Sequence, residues 1–163
     1  MTTPMTTPTH TPPQLEFAFA VRIRLHPATY LGKSPLGNER AAVYVQEGSF
    51  EGPGIRGRVV PDSGGDWATV RPDGVLDFDA RYLLETDDGV TIYLQNRGYR
   101  WASEEVMARQ RRREPVDPSE YYMRASPKFE VQAGPYDWLM KYVFVGVAEK
   151  IPEGNVISYY KVL

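Results

Sequence analysis

From Leu15 onward, apolar and polar residues take turns. In "LEFAFAVRIRL" the residues Leu15, Phe17, Phe19, Val21, Ile23 and Leu25 share one phase, the period-two mark of a strand with one buried face. "AAVYVQEGSF", "IRGRVV", "DWATV", "VLDFDARYLLET", "VTIYLQN", "YYMRAS", "YVFVGVAE" and "VISYYKV" follow, each bounded by Gly, Pro or Asp clusters. One stretch breaks the habit. "ASEEVMARQRRRE" predicts a helix over residues 103–113, with Ser103 as cap, Glu104 and Glu105 in the first turn, and Glu114-Pro115 at its end. Roughly eight or nine strands with one principal helix predict a mainly β fold, a single antiparallel β-barrel over residues 15–163. A barrel is preferred to a sandwich because closure removes exposed edges and leaves an interior able to hold a ligand. Residues 1–14, "MTTPMTTPTHTPPQ", are Thr/Pro-rich without apolar periodicity and predict a disordered tail.

Two turns set the register of three strands. "RPDGV" and "TDDGV" each place an Asp-Gly where a bulged three-residue hairpin loop needs a left-handed residue, here Gly74 and Gly89. Arg71 then pairs with Val75, and Thr86 with Val90. Counting outward puts Asp66 opposite Ala80, and Ala80 opposite Asn96. One face collects Asp66, Ala68, Val70, Leu76, Phe78, Ala80, Tyr82, Leu84, Ile92, Leu94 and Asn96. The other collects Trp67, Thr69, Arg71, Asp77, Asp79, Arg81, Gln95 and Arg97, with Asp79 across from Arg97. The first face is the interior, and Asp66, Tyr82 and Asn96 are polar residues near one end of it.

A carboxylate in such a place costs several kcal/mol unless it is hydrogen-bonded or neutralised, so burial should lift its pKa toward the range useful for proton transfer. Asp66 is the candidate base or acid, Tyr82 the proton partner, and Asn96 the oxyanion-holding or orienting group. The bland alternative has Asp66 tied to nearby loop amides while Tyr82 and Asn96 satisfy each other. Phe78 and Ile92 share the inner face and are candidate walls of a binding site. Trp67, Glu51 in "GSFEGPGIRG", and Trp138 in "YDWLMKY" complete the candidate ligand contacts, Glu51 by reaching the barrel mouth and Trp138 by plugging an end. In "SEYYMRASPKFE" alternation leaves open whether Tyr122 and Arg124 face inward, where Arg124 would clamp a carboxylate, or outward.

Charge and composition then remove whole classes. A net charge of −2 over 163 residues argues against a nucleic-acid partner recruited by bulk charge. The basic run Arg109, Arg111, Arg112 and Arg113 reads as a solvated helix end. Without cysteine, and with only His10 and His26, neither a thiolate nor a histidine-rich metal site is expected. No phosphate loop, dinucleotide fingerprint or nucleophile elbow occurs, so no cofactor is expected. No apolar run approaches the ~20 residues of a membrane span, which makes a soluble cytoplasmic protein the default.

The ordered motifs "GSFEGPGIRGRVVP", "GGDWATVRPDGVLDFDARYLLETDDGVTIYLQNRG", "VDPSEYYMRASPKFE" and "WLMKYVFVG" resemble the family of the domain of unknown function three-two-three-seven, also called uncharacterised protein family three-one-one. The resemblance covers roughly residues 14–163. It implies a small cytoplasmic β-barrel protein of bacteria or fungi, more loosely similar to barrels of the allene-oxide-cyclase and dirigent type. Family positions that fall on this chain are Glu51, Asp66, Trp67, Tyr82, Asn96 and Tyr122, while Met123 stands where the family often has an aromatic.

The expectation is therefore a small-molecule barrel, a cofactor-free enzyme doing isomerisation, cyclisation, hydration or elimination on an apolar oxygenated or aromatic metabolite, with room for a homo-oligomer. A non-catalytic ligand-binding barrel is one rival. An interaction protein with a filled barrel is the other.

Overall fold

The structure is a computed structural model and describes residues 10–163. The expected tail falls mostly on residues 1–9, outside the described residues. Strand β1 (Leu15–Leu25) pairs with β10 (Gly154–Val162) on one side and β3 (Glu39–Gly52) on the other, which closes the sheet. From β10 the ring continues through β9 (Phe144–Ile151), β8 (Tyr121–Val131), β7 (Thr91–Ala102) and β6 (Leu76–Thr86), antiparallel throughout. Two short strands, β4 (Ile55–Val59) and β5 (Gly65–Val70), share the position between β6 and β3. Strand β2 (Thr29–Lys33) takes over along β3 where β1 stops. Ten segments thus fill the eight positions of a closed barrel.

Proline accounts for both broken positions, since it has no N–H to give a ladder. Pro27 separates β1 from β2, and Pro61 lies between β4 and β5. The breaks flank the same part of β3, where His26 N donates to Tyr44 O at 2.9 Å and Asp62 N to Gln46 O at 3.3 Å. Strand β2 was not among the expected strands. All its residues are exposed, so it carries no alternation to read.

The expected register is the observed one. Gly74 and Gly89 have φ of 84° and 85°, Arg71 N donates to Val75 O, and Thr86 N donates to Val90 O, each at 2.9 Å. Ala80 pairs with Asp66 on one side and Asn96 on the other. Asp79 pairs with Arg97 on the outer wall at 3.9 Å, an exposed contact worth at most ~1 kcal/mol. Strand β8 departs from expectation by running through Pro127 to Val131. Its recorded pairs with β9 are Arg124 with Val147 and Ala125 with Gly146, so Pro127 lies beyond that ladder. Helix α1 (Glu104–Arg111) starts where Ser103 Oγ accepts from Val106 N at 3.3 Å. Its arginines are solvated ion-pair partners, Arg109 to Glu120 at 2.8 Å and Arg112 to Glu114 at 2.6 Å.

One end of the barrel is filled by rings. Phe19 packs on Phe50, Phe129 and Tyr159 with centroids 5.8, 5.6 and 5.2 Å apart, and Phe129 meets Phe144 at 5.2 Å. Such pairs contribute about 1 kcal/mol each beyond the area they bury. At mid-height Gly98 faces Phe78 and Ala125 across both its ladders. A Cβ there would lie 2.7 Å from Phe78 Cζ and collide with the backbone carbonyl of Arg124.

Two kinds of glycine should therefore respond differently in denaturant titrations. Gly89→Ala meets no atom and should cost only the strain of a left-handed alanine, about 1 kcal/mol. Gly98→Ala must move backbone and should cost about 3 kcal/mol. Equal losses would mean that the two ladders around Gly98 are looser than described.

Candidate functional site

Several strands carry the same gradient along the barrel axis. On β7 the inward residues run Ile92, Leu94, Asn96, Gly98, Arg100. On β6 they run Leu84, Tyr82, Ala80, Phe78, Leu76, and on β9 Phe144, Gly146, Ala148, Lys150. Each begins in the aromatic plug and passes small residues toward the far end, where β7 ends in Arg100 and β9 in Lys150. Tyr159 of β10 straddles the boundary, with its ring in the plug. The result is a lumen closed at one end and polar at the other, where α1 folds back and buries Val106.

Asp66, Tyr82 and Asn96 all face this lumen. Tyr82 and Asn96 are 2% and 4% exposed, and Asp66 is partly buried. Asp66 Oδ1 accepts from Asp79 N at 2.9 Å, a backbone donor in the strand itself rather than in a loop. Trp67 and Ala68 have no recorded partner on β6, so the carboxylate takes an acceptor's place in the opened ladder. Burial raises the Asp66 pKa from 3.8 to about 6. The Asp79 amide bond and the charge of Lys150 pull it down, while the charges of Asp79 and Asp77 push it up.

Polar groups beyond those three meet here. Burial pushes Lys150 down to about 8, reinforced by Arg100 and opposed by Asp66. Lys150 is open to solvent at the rim, yet the barrel wall surrounds it, and the downward direction follows from that surround. Arg100 is also held below its ordinary value by burial. Arg100 Nη2 donates to Gln110 Oε1 of α1 at 3.0 Å, while its Nε has no partner among the described residues. Tyr121 Oη accepts from Lys150 N at 2.8 Å. Tyr82 Oη, Asn96 Oδ1, Asn155 Oδ1 and Tyr159 Oη are likewise buried without a hydrogen-bond partner among the described residues. The two tyrosine hydroxyls sense each other, and burial drives both pKa values up, but neither reaches bonding geometry. Buried polar atoms are nearly always partnered by protein or by water, so five in one interior suit water or a polar ligand there.

The other sequence candidates divide. Phe78 lines the lumen beside Gly98, and Ile92 is fully buried at the apolar end. Trp138 packs on Phe144 at 6.0 Å, next to the plug. Four candidate ligand contacts are corrected to the outer wall: Trp67 keeps the outer face that the register assigns it, Tyr122 and Arg124 take the outward side of the choice that alternation leaves open, and Glu51 misses the mouth. Trp67 is 48% exposed and rests on Tyr44. Tyr122 and Arg124 line a hollow of about 780 Å³ on the outer wall, with Asp77, Arg97 and Lys128, while Tyr121, Met123 and Ala125 take the inner phase. Glu51 lies on the outside beside Phe17 and Arg22, away from the mouth. Arg100, Lys150, Asn155 and Tyr159 were not anticipated. Extending the phase of Asn96 through Gly98 to Arg100 would have found the first.

Among the described residues no group of His, Cys, Asp or Glu could hold a metal ion, and no helix is long and apolar enough to cross a membrane. A UPF0311 protein of Rhodopseudomonas palustris is 37% identical over 150 residues, covering 92% of this chain and 97% of its own. The crystal structure of a beta-barrel like protein from Acinetobacter baumannii superposes with a TM-score of 0.82 at 35% identity, over 95% of this chain and 99% of that one. More distantly, a hydroalkoxylation enzyme of Penicillium herquei is 25% identical over 152 residues, 93% of this chain and 85% of its own. The fold of an enzyme from the same fungus matches with a TM-score of 0.72 at 23% identity, over 97% of this chain and 100% of that one. Residues 13–162 match the family described as protein of unknown function DUF3237, and the chain belongs to that family.

Proposed function

We propose that the barrel is an enzyme that moves a proton within a small oxygenated, partly aromatic molecule held in the lumen. The observation that carries this reading is the row of unpartnered buried polar atoms beside a carboxylate whose pKa is about 6. Such a group is available both as acid and as base near neutral pH. The distant relative named a hydroalkoxylation enzyme supports addition of an O–H across a C=C bond as the reaction. The Asp66 carboxylate takes the hydroxyl proton, the oxygen bonds to one alkene carbon, and Asp66 returns the proton to the other. If the alkene is conjugated to a carbonyl, negative charge on that carbonyl oxygen is met by Arg100 and Lys150. Asn96, whose carbonyl oxygen is the unpartnered atom, accepts from a second hydroxyl and orients the molecule. Tyr82 and Tyr159, held neutral by burial, donate.

A purely binding barrel is the second reading. The Asp79 N to Asp66 bond favours it, because that bond alone gives Asp66 a structural task.

Asp66→Asn separates the first two readings, since asparagine keeps an acceptor for Asp79 N and loses the base. On a substrate bearing both a hydroxyl and a conjugated alkene, turnover should fall at least ~100-fold. In D2O the wild-type product should carry one solvent deuterium on carbon. Unchanged turnover in the folded variant removes Asp66 from the chemistry.

The same variant has a stability signature. The folded chain holds the Asp66 proton up to about pH 6, against an ordinary value of 3.8, so it binds more protons than the unfolded chain between them. This contribution is complete below about pH 4 and is lost as pH rises through about 6. Asp66→Asn should abolish that decline, so its melting temperature should gain on wild type across the interval. Parallel curves would mean that the carboxyl is not desolvated.

A further inference from the structure

Nine arginines, Arg22, Arg24, Arg56, Arg58, Arg71, Arg81, Arg97, Arg109 and Arg112, stand within ion-pair distance of a carboxylate. The two cations that face the lumen do not. No carboxylate among the described residues lies within 4.0 Å of Arg100, which is partly buried, or of Lys150, which stands at the rim. Asp66 is near enough for its charge to be felt by Lys150, yet its recorded bond goes to Asp79 N. Withdrawing a cation from water without a counter-charge costs several kcal/mol. A barrel wall that brings two together, beside amide and phenol groups that also lack partners, is arranged for an anion that is not part of the chain.

We propose that the Arg100–Lys150 end of the lumen is an anchor for the ionised oxygen of a planar organic acid. The ligand extends from there toward Asp66, Tyr82 and Asn96. The geometry fixes both the charge and the reach. Arg100 Nη2 is held by Gln110, while Nε has no partner among the described residues. Lys150 is set by the backbone bond to Tyr121 Oη, and Asn155 is its neighbour across the β9–β10 ladder. Arg100 and Asn96 are four residues apart on one strand, about 13 Å, so a ligand touching both ends is of ring-system size. Gly98 and Gly146 give way to the rings of Phe78 and Tyr159, which line the path between them. The anchor rests on reading the lumen as the ligand site but is independent of the reaction carried out there.

Four probes at neutral pH test it by calorimetric titration of the intact protein. Benzoate and 2,4-dinitrophenolate are the anions, and benzamide and 1,3-dinitrobenzene are their uncharged counterparts. At least one anion should bind about tenfold or more tightly than its counterpart, the scale of one charge-assisted hydrogen bond. Whichever anion is preferred identifies a carboxylate or a phenolate as the natural group. Lys150→Met and Arg100→Met should each lose about tenfold for that anion, and change affinity for the uncharged probe by less than about twofold. Asp66→Asn should hold or raise anion affinity. Lys150→Met, at the rim, keeps the test decisive if Arg100→Met fails to fold. Failure of both anions to bind, equal binding of charged and uncharged probes, or unchanged anion affinity in Lys150→Met overturns the anchor. Anion binding that depends on Lys150, with turnover indifferent to Asp66, leaves the anchor standing and removes the proposed chemistry. Turnover that needs Asp66 without any preference for anions does the reverse.

Discussion

The packing of Phe19, Phe50, Phe129, Phe144 and Tyr159 at one end of the ring is the contact on which the rest of the molecule depends. An eight-stranded barrel has an interior only just wide enough for side chains, so whichever end carries the rings is closed. Once it is closed, water can reach the middle from one direction. That asymmetry desolvates Asp66 and Arg100 in a protein with abundant charge on its outside. Tyr159 couples the two halves. Its ring is held by Phe19 and Phe129, and that grip fixes where its hydroxyl stands beside Tyr82.

The row of Asp66, Ala80 and Asn96 was legible because two Asp-Gly turns admit one register and a half-buried strand admits one choice of face. Lys150 was not legible. In "YVFVGVAEK" both phases are apolar, Val143, Val145 and Val147 in one and Phe144, Gly146 and Ala148 in the other, so alternation names no inner side. Tyr122 and Arg124 were undecided for a related reason, since the rival phase offers Tyr121, Met123 and Ala125. The ladders with β7 and β9 decide it. Trp67 and Glu51 show that family recurrence and inward orientation are separate properties. The run "YYMRAS" reads as a strand bounded by Pro127, yet Pro127 lies beyond the β8–β9 ladder. The strand continues because that ladder has already stopped.

An interior lined with amides, phenols and cations is a stability cost that an apolar filling would avoid. Natural domains tolerate such costs where a site needs a preset arrangement of dipoles, since groups already fixed by the fold need not reorganise when charge develops. Here the fixing is visible group by group. Asp66 is held by a strand amide, Arg100 by α1 and Lys150 by Tyr121, and each hold comes from a different part of the ring.

The short β8–β9 ladder gives this closed barrel something that closure is expected to abolish. Beyond Ala125 the strand β8 keeps β7 on one side and loses β9 on the other, so the molecule retains a stretch of sheet edge. Exposed edges invite strand addition from other chains, and proteins guard them with proline or a covering segment. Both devices are present: Pro127 has no N–H to offer, and Val131 N is occupied by Met140 Sδ at 3.4 Å from the 3-10 turn Asp137–Met140. A residue that looks like an interruption of a strand thus takes one donor away from the edge it lies on.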